Sequence, residues 1–314
     1  MATKPDILVI IPIRPAQMQM LQDSYTLHRY DQAEDRDAFL TEVGDKIRGV
    51  VTMGISPFTE DMLDHLPRLE IVALGSVGYD TIDVEACNAR GIPVTNTPDV
   101  LTNDVADLAM ALTFDSFRGY SRGERYVRQG RWRDEGSMAP TTSVTGKTMG
   151  IVGLGRIGKA IARRAEAFEM KVAYHGRREQ SEMPYAFFDT PAALAAESDV
   201  VVLACPGGDE TRGLVNREVL DGLGADGHLV NISRGSVVNE PELLKALQNN
   251  RIAGAALDVF DNEPKINEAF FTLDNVVLQP HVGSATQETR GAMAQLVVDN
   301  LAAHFSGKPL LTPV

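Results

Sequence analysis

The run Gly153-Leu154-Gly155-Arg156-Ile157-Gly158 spaces three glycines as GxGxxG, a pattern suited to holding an anion. Gly153 permits a tight turn, Gly155 lets the backbone approach a pyrophosphate, and Gly158 lets a helix pack close to a strand. Free amides at the helix start then face the negative charge. The context is what makes the pattern specific. It follows the apolar run Met149 to Val152 and opens a segment with Ile157, Ala160, Ile161, Ala165 and Phe168 on one helical face; a second apolar run, Lys171 to His175, comes next. Strand, turn, helix and strand are the setting a dinucleotide-binding loop requires. Gly146-Lys147-Thr148 does not complete a P-loop, because Thr141 stands where that motif needs glycine.

The second strand of such a unit selects the cofactor. An acidic residue at its end takes the ribose hydroxyls of NAD. Here the strand ends Tyr174-His175-Gly176-Arg177-Arg178, with no carboxylate before Glu179. Two guanidinium groups would instead bind the extra phosphate of NADP. Gly176, Arg177 and Arg178 therefore point to NADPH in preference to NADH.

Three charged groups lie at the ends of later apolar runs, where open α/β sheets place their ligand sites. Arg234 stands in Asn231-Ile232-Ser233-Arg234-Gly235. Glu263 stands in Asp258-Val259-Phe260-Asp261-Asn262-Glu263-Pro264, and His281 in Gln279-Pro280-His281-Val282-Gly283-Ser284.

With these motifs in this order, and with Gly75-Ser76-Val77-Gly78-Tyr79-Asp80 near the start, the chain resembles the D-isomer-specific 2-hydroxyacid dehydrogenases over nearly its whole length. Within them it is most similar to the NADPH-dependent glyoxylate/hydroxypyruvate reductases, with keto-sugar-acid reductases close by. The resemblance implies that Arg234 holds the carboxylate and carbonyl of a small 2-oxo acid, which a guanidinium can do bidentately. It implies that His281 is the acid and base, since histidine titrates near neutrality. Glu263 would pair with the imidazole, fix its orientation and favour its charged form. The amides of Val77 and Gly78 would complete the carboxylate site. Trp132, the single tryptophan, would contact substrate or anchor a homodimer. Cofactor contacts are implied at Gly153, Leu154, Gly155, Arg156, Ile157, Gly158, Gly176, Arg177, Arg178, Cys205, Pro206, Thr211, Ile232, Ser233, Asp258, His281 and Gly283. Cys205-Pro206-Gly207-Gly208 departs from the Cys-Pro-Leu-Thr-like run usual beside the cofactor, which puts the rigidity of that loop in question. Related nucleotide-sensing corepressors share the fold, but the complete Arg234, Glu263 and His281 set argues for catalysis. Formate-oxidising relatives carry glutamine where Glu263 stands.

The elements that must position these groups can be read from apolar periodicity. Runs at Ile7 to Ile11, Ile47 to Met53, Leu69 to Gly75 and Pro93 to Asn96 alternate with helical segments such as Thr59 to Leu66 and Asp83 to Arg90. A long helix is predicted from Asn103 to Arg128, then a loop from Gly136 to Thr145. Six further runs follow, at Met149 to Leu154, Met170 to His175, Asp199 to Cys205, His228 to Ile232, Ala253 to Phe260 and Asn275 to Gln279. Gln287 to Phe305 reads as a final helix. The fold class is α/β, with two doubly wound parallel sheets in Rossmann-like and flavodoxin-like domains. The resemblance implies a substrate-binding domain at 1–100 plus 286–314, an NAD(P)-binding domain at 101–285, and an active site in the cleft between them.

Composition sets the remaining bounds. With 314 residues, 44% hydrophobic and 23% charged, the chain suits two folded domains. A formal net charge of −13 disfavours nucleic acid and anionic lipid as partners, so any anion site must be built from local positive charge. Two cysteines, Cys87 and Cys205, make neither a disulfide framework nor a metal-ligand spacing. They fit a reducing cytoplasm, and the first apolar run is too short to be a membrane span.

Overall fold

The computed structural model describes residues 4–314. The chain forms two compact units, 1–101 with 285–314, and 102–284. Among the described residues no helix is long and apolar enough to cross a membrane.

The first unit is built on β1 (Asp6–Val9), β2 (Thr26–Arg29), β3 (Ile47–Thr52), β4 (Ile71–Leu74) and β5 (Val94–Thr95). All are parallel, in the order β2-β1-β3-β4-β5, which is the flavodoxin-like arrangement. β3 and β4 are apolar nearly throughout because both faces of the sheet are covered. One face packs Leu8, Val50, Val72 and Leu74 against Phe58, Leu63 and Leu66. The other packs Ile7, Val51, Ile71 and Ala73 against Val297, Val298 and Leu301 of the helix Gln287–Phe305. Beyond that helix the chain returns to β5, where Val314 N donates to Val94 O at 2.9 Å and Asn96 N to Thr312 O at 3.1 Å.

The second unit carries β6 (Thr148–Val152), β7 (Lys171–His175), β8 (Ala186–Phe188), β9 (Val200–Leu203), β10 (His228–Asn231), β11 (Gly254–Leu257) and β12 (Val276–Leu278). They are parallel in the order β12-β11-β10-β9-β6-β7-β8. From β6 the chain winds outward through β7 and β8, then crosses back to β9. The switch point therefore lies between β6 and β9, and ligands of such sheets bind there, beyond the carboxyl ends of the strands.

Three features differ from the sequence reading. The first sheet has a fifth strand, β2, and the second a seventh, β8. Both lie at sheet edges, where only part of a strand is buried and the apolar run is short. The helix predicted from Asn103 to Arg128 is two helices, Thr102–Arg118 and Tyr120–Arg128. They break at Gly119, whose φ of 62° lies in the left-handed region glycine favours, and Asp115 anchors the restart by accepting Ser121 N at 2.8 Å. Phe168 does not share the buried face of the helix Arg156–Ala167; it follows the last turn, half exposed, with its ring edge on Phe114 at 4.6 Å.

Candidate active site

The glycines of the GxGxxG loop differ in what surrounds them. Gly153 has φ 96°, and a Cβ there would lie 2.7 Å from Cys205 N. A Cβ on Gly158 would collide with the Gly153 carbonyl. Both glycines are thus required by the fold. At Gly155 a Cβ would meet nothing within 4 Å, so the fold leaves open the space that a bound pyrophosphate would fill. Gly155 caps the helix Arg156–Ala167 with no side-chain hydrogen bond to its first turn. The exposed amides and the positive end of the helix suit a dinucleotide phosphate. Leu154 and Gly158 are buried beside them, and Ile157 is half-buried.

The loop is fixed to β7 by Gly153 N, which donates to His175 O at 2.9 Å. Gly176, Arg177 and Arg178 follow directly. Both arginines are exposed, and among the described residues neither guanidinium has an ion-pair or hydrogen-bond partner. After β9, on the far side of the switch point, Cys205 is buried, and burial pushes its thiol up to about 11, so it serves as packing and not as a nucleophile. The departure at Gly207-Gly208 is braced locally. Gly208 has φ 124°, and the Thr211 hydroxyl donates back to Pro206 O at 2.8 Å.

Arg234 follows β10 by three residues. Its loop is held by Asn231, whose Nδ2 donates to Arg234 O at 2.8 Å, while Asn231 Oδ1 accepts Ser233 N at 3.0 Å and Ser233 Oγ at 2.9 Å. Ile232 and Ser233 are buried. The guanidinium donates to Ser233 O at 2.8 Å. Gly235 then packs on the Phe260–Asp261 peptide so closely that any Cβ would overlap the Phe260 carbonyl. The same segment holds Glu263, whose Oε1 accepts Phe260 N at 2.9 Å. The loops bearing Arg234 and Glu263 are therefore locked together.

Glu263 Oε2 lies 2.7 Å from His281 Nδ1. Burial alone would raise the Glu263 carboxyl, but the hydrogen bonds from His281 and the Phe260 amide, with the charges of His281 and Arg234, hold it below its ordinary value. An ionised carboxylate only accepts, so Nδ1 carries the hydrogen and Nε2 is the nitrogen left to exchange a proton. His281 has φ 53°, a conformation uncommon outside glycine. Asp258, 1% exposed, surrounds it: its carbonyl accepts His281 N at 2.9 Å, and its carboxylate accepts Val282 N at 2.7 Å and Gly283 N at 2.9 Å. Burial raises the Asp258 carboxyl, and the two amides oppose that rise.

In the first unit, Val77 and Gly78 sit in the loop after β4. Asn96 Nδ2 donates to Val77 O at 2.9 Å and Ser76 Oγ to Gly78 O at 2.9 Å. Their carbonyls are thus tied down, whereas among the described residues their N–H groups have no acceptor. Trp132 is 63% exposed on the short helix Arg131–Glu135, and among the described residues it makes no hydrogen bond or ring contact with Arg234, Glu263 or His281.

The structure thus unites Arg234, Glu263 and His281 at the carboxyl ends of parallel strands that also present the phosphate loop. Such a group can hold an anion and move a proton beside a bound dinucleotide. Asn231, Gly235 and the double grip of Asp258 were missed as supports. Asn231 and Gly235 flank Arg234 in the sequence, but nothing local says that Gly235 meets a peptide 25 positions on.

Comparison with known proteins places the chain in a family. Residues 110–283 match the model of the NAD binding domain of D-isomer specific 2-hydroxyacid dehydrogenases. The chain is 48% identical to the glyoxylate/hydroxypyruvate reductase A of Arabidopsis thaliana over 98% of both chains. It is 47% identical to the 2-ketogluconate reductase of Gluconobacter oxydans over the full length of both. Among solved structures, the NADPH-dependent glyoxylate/hydroxypyruvate reductase of Sinorhizobium meliloti, in complex with NADP and malonate, superposes with a TM-score of 0.94 at 44% identity, covering 99% of this chain and 97% of that one.

Proposed function

Because the chain belongs to the D-isomer specific 2-hydroxyacid dehydrogenase family, we propose that it reduces a small 2-oxo acid, glyoxylate or hydroxypyruvate, to the D-2-hydroxy acid, with NADPH preferred over NADH. The observation that carries this reading is the His281–Glu263 pair at 2.7 Å, joined through Gly235 to the Arg234 loop.

NADPH held at the phosphate loop would supply the hydride that the substrate's keto carbon takes up. Arg234 holds the substrate carboxylate and carbonyl oxygen through its planar fork, and the N–H groups of Val77 and Gly78 take the carboxylate's remaining acceptors. His281 Nε2 gives its proton to the carbonyl oxygen as that oxygen becomes an alkoxide, and takes it back in the reverse reaction. Glu263 keeps the ring oriented and balances its charge. Arg177 and Arg178 bind the 2′-phosphate, and contacts from Thr211, Pro206, Ile232, Ser233, Asp258 and Gly283 seat the rest of the cofactor. In this reading 101–285 is the cofactor domain and 1–100 with 286–314 the substrate domain. Free, buried Cys87 and Cys205 support a reducing cytoplasm. Exposed Tyr120, Val127 and Trp132 support a homodimer.

The full-length similarity to a 2-ketogluconate reductase favours a second substrate reading within the same chemistry. A panel of glyoxylate, hydroxypyruvate, 2-ketogluconate and an aromatic pyruvate, each with NADPH and followed by loss of reduced-nicotinamide absorbance, tests both. The highest kcat/KM is expected with glyoxylate or hydroxypyruvate. Cofactor binding with no turnover of any 2-oxo acid would return the chain to the class of nucleotide-sensing binding proteins.

A further inference from the structure

We infer that Tyr174 and Gln180 are positioning residues that set the cofactor preference by tying the Arg177–Arg178 turn to the phosphate loop. This rests on the reading of that turn as the 2′-phosphate site. Tyr174 ends the buried part of β7; it is 1% exposed, and its ring packs on Phe187 of β8 at 5.3 Å. Its hydroxyl accepts Gln180 N at 2.7 Å. The Gln180 side chain reaches the other way, with Nε2 donating to Leu154 O at 3.0 Å. A carbonyl can only accept, so the orientation of that amide is determined. Gln180 O in turn accepts Met183 N at 2.9 Å. The segment between Tyr174 and Gln180 is therefore closed at both ends by side-chain groups, with two unpartnered guanidinium groups at its tip.

The geometry of the ligand explains why such a tie matters. In NADPH the pyrophosphate and the 2′-phosphate hang on one adenosine, so their separation varies little. A protein that grips both needs the GxGxxG loop and the arginine turn at a set spacing, and the bond from Gln180 to Leu154 spans those two elements directly. A further link, Lys159 to Glu182 at 3.6 Å, lies largely in solvent and contributes little. The phosphate loop itself does not depend on Gln180, because Gly153 N to His175 O and Lys159 N to Gly155 O hold it independently. Loosening the turn therefore weakens the grip on the 2′-phosphate and spares the pyrophosphate. Holding two long side chains on a rigid turn also lowers the ordering cost of binding.

The test uses the full chain with Gln180→Met, which keeps the length but removes the donor, Tyr174→Phe, which removes one hydroxyl, and the double variant Arg177→Ala/Arg178→Ala as reference. KM is measured for NADPH and NADH, and calorimetric titration compares 2′,5′-ADP with 5′-AMP. Each single variant is expected to raise KM for NADPH and weaken 2′,5′-ADP about fivefold, the loss of one ordinary hydrogen bond. NADH and 5′-AMP should move less than twofold. If the arginine pair proves selective for NADPH but Gln180→Met leaves NADPH untouched, the inference is overturned and the cofactor reading stands. Equal weakening of both cofactors by Gln180→Met also overturns it, as a general loop role. If the arginine variant does not discriminate, the cofactor reading fails and the inference with it. Gln180→Met keeps the test decisive should Tyr174→Phe lower the melting temperature.

Discussion

Asp258 holds His281 in place through its own backbone: the Asp258 carbonyl accepts the His281 amide at 2.9 Å, and the Asp258 carboxylate fastens the two residues that follow. A histidine with φ 53° is kept in an uncommon conformation by neighbours that over-determine it, as strained functional positions usually are.

On the proposed mechanism, His281→Ala removes the proton carrier but little of the substrate grip. Turnover should fall about 10²–10⁴-fold, while KM for the 2-oxo acid changes far less. Steady-state kinetics on a variant with unchanged cofactor binding checks this, and near-normal turnover would remove His281 from its role.

Arg234→Lys keeps the positive charge and loses the fork. Charge-assisted hydrogen bonds contribute about 1.5–3 kcal/mol each, so KM for the 2-oxo acid should rise about 10- to 100-fold. KM for NADPH should stay within twofold. A variant that bound substrate like the parent would show that a point charge suffices.

Gly155→Ala and Gly158→Ala separate ligand space from packing. The first adds a methyl where nothing lies within 4 Å, so thermal stability should hold while both NADPH and NADH bind more weakly. The second drives a methyl into the Gly153 carbonyl and should destabilise the protein by about 1–3 kcal/mol. Paired melting curves and cofactor titrations decide it; equal loss of stability in both would contradict the assignment.

His228 makes the second unit sensitive to acid. Its ring is 5% exposed, stacked on Phe117 at 4.0 Å and bonded to Ser116 Oγ at 2.7 Å. Burial, with help from Lys147 and against Asp199 and Asp226, lowers it from 6.5 to about 4. Above pH 6.5 the ring is neutral whether folded or unfolded, and stability is intact. As pH falls from there towards 4 the unfolded chain takes up the proton first, so stability is lost over that window. About 1.4 kcal/mol per pH unit over this range amounts to about 3 kcal/mol. Denaturant titrations across the window should show this decline, and His228→Gln should flatten it.

Glu263 adds a dependence at lower pH. Its carboxyl is held below its ordinary value, so the stabilisation is present above the unfolded carboxylate pKa of about 4.3 and is lost as pH falls through the folded one. Glu263→Gln should remove that acid-side slope, measured in the His228→Gln background to keep the two windows apart.

Much of this protein could be read without coordinates, because some physical requirements are local. A tight turn needs glycine at Gly153 whatever surrounds it, and a buried parallel strand such as Val200–Leu203 must be apolar along its length. The helix Gln287–Phe305 and the phosphate loop were visible for this reason. The edge strands β2 and β8 were not, since their half-exposed residues carry little pattern. The break at Gly119 was hidden because a glycine in an apolar periodic stretch is compatible with both a continuous and a broken helix.

Residue types and spacing by themselves determined the fold class, the anion loop and the three charged groups, since these follow from backbone conformation and the periodicity of burial. Only the tertiary structure decided which atoms meet. Glu263 reaches His281 across 18 positions, Gly235 presses on Phe260, and Gln180 fastens to Leu154. Those contacts depend on strand order and loop packing, which arise from the whole chain's burial of apolar surface and leave no trace in any short stretch of it.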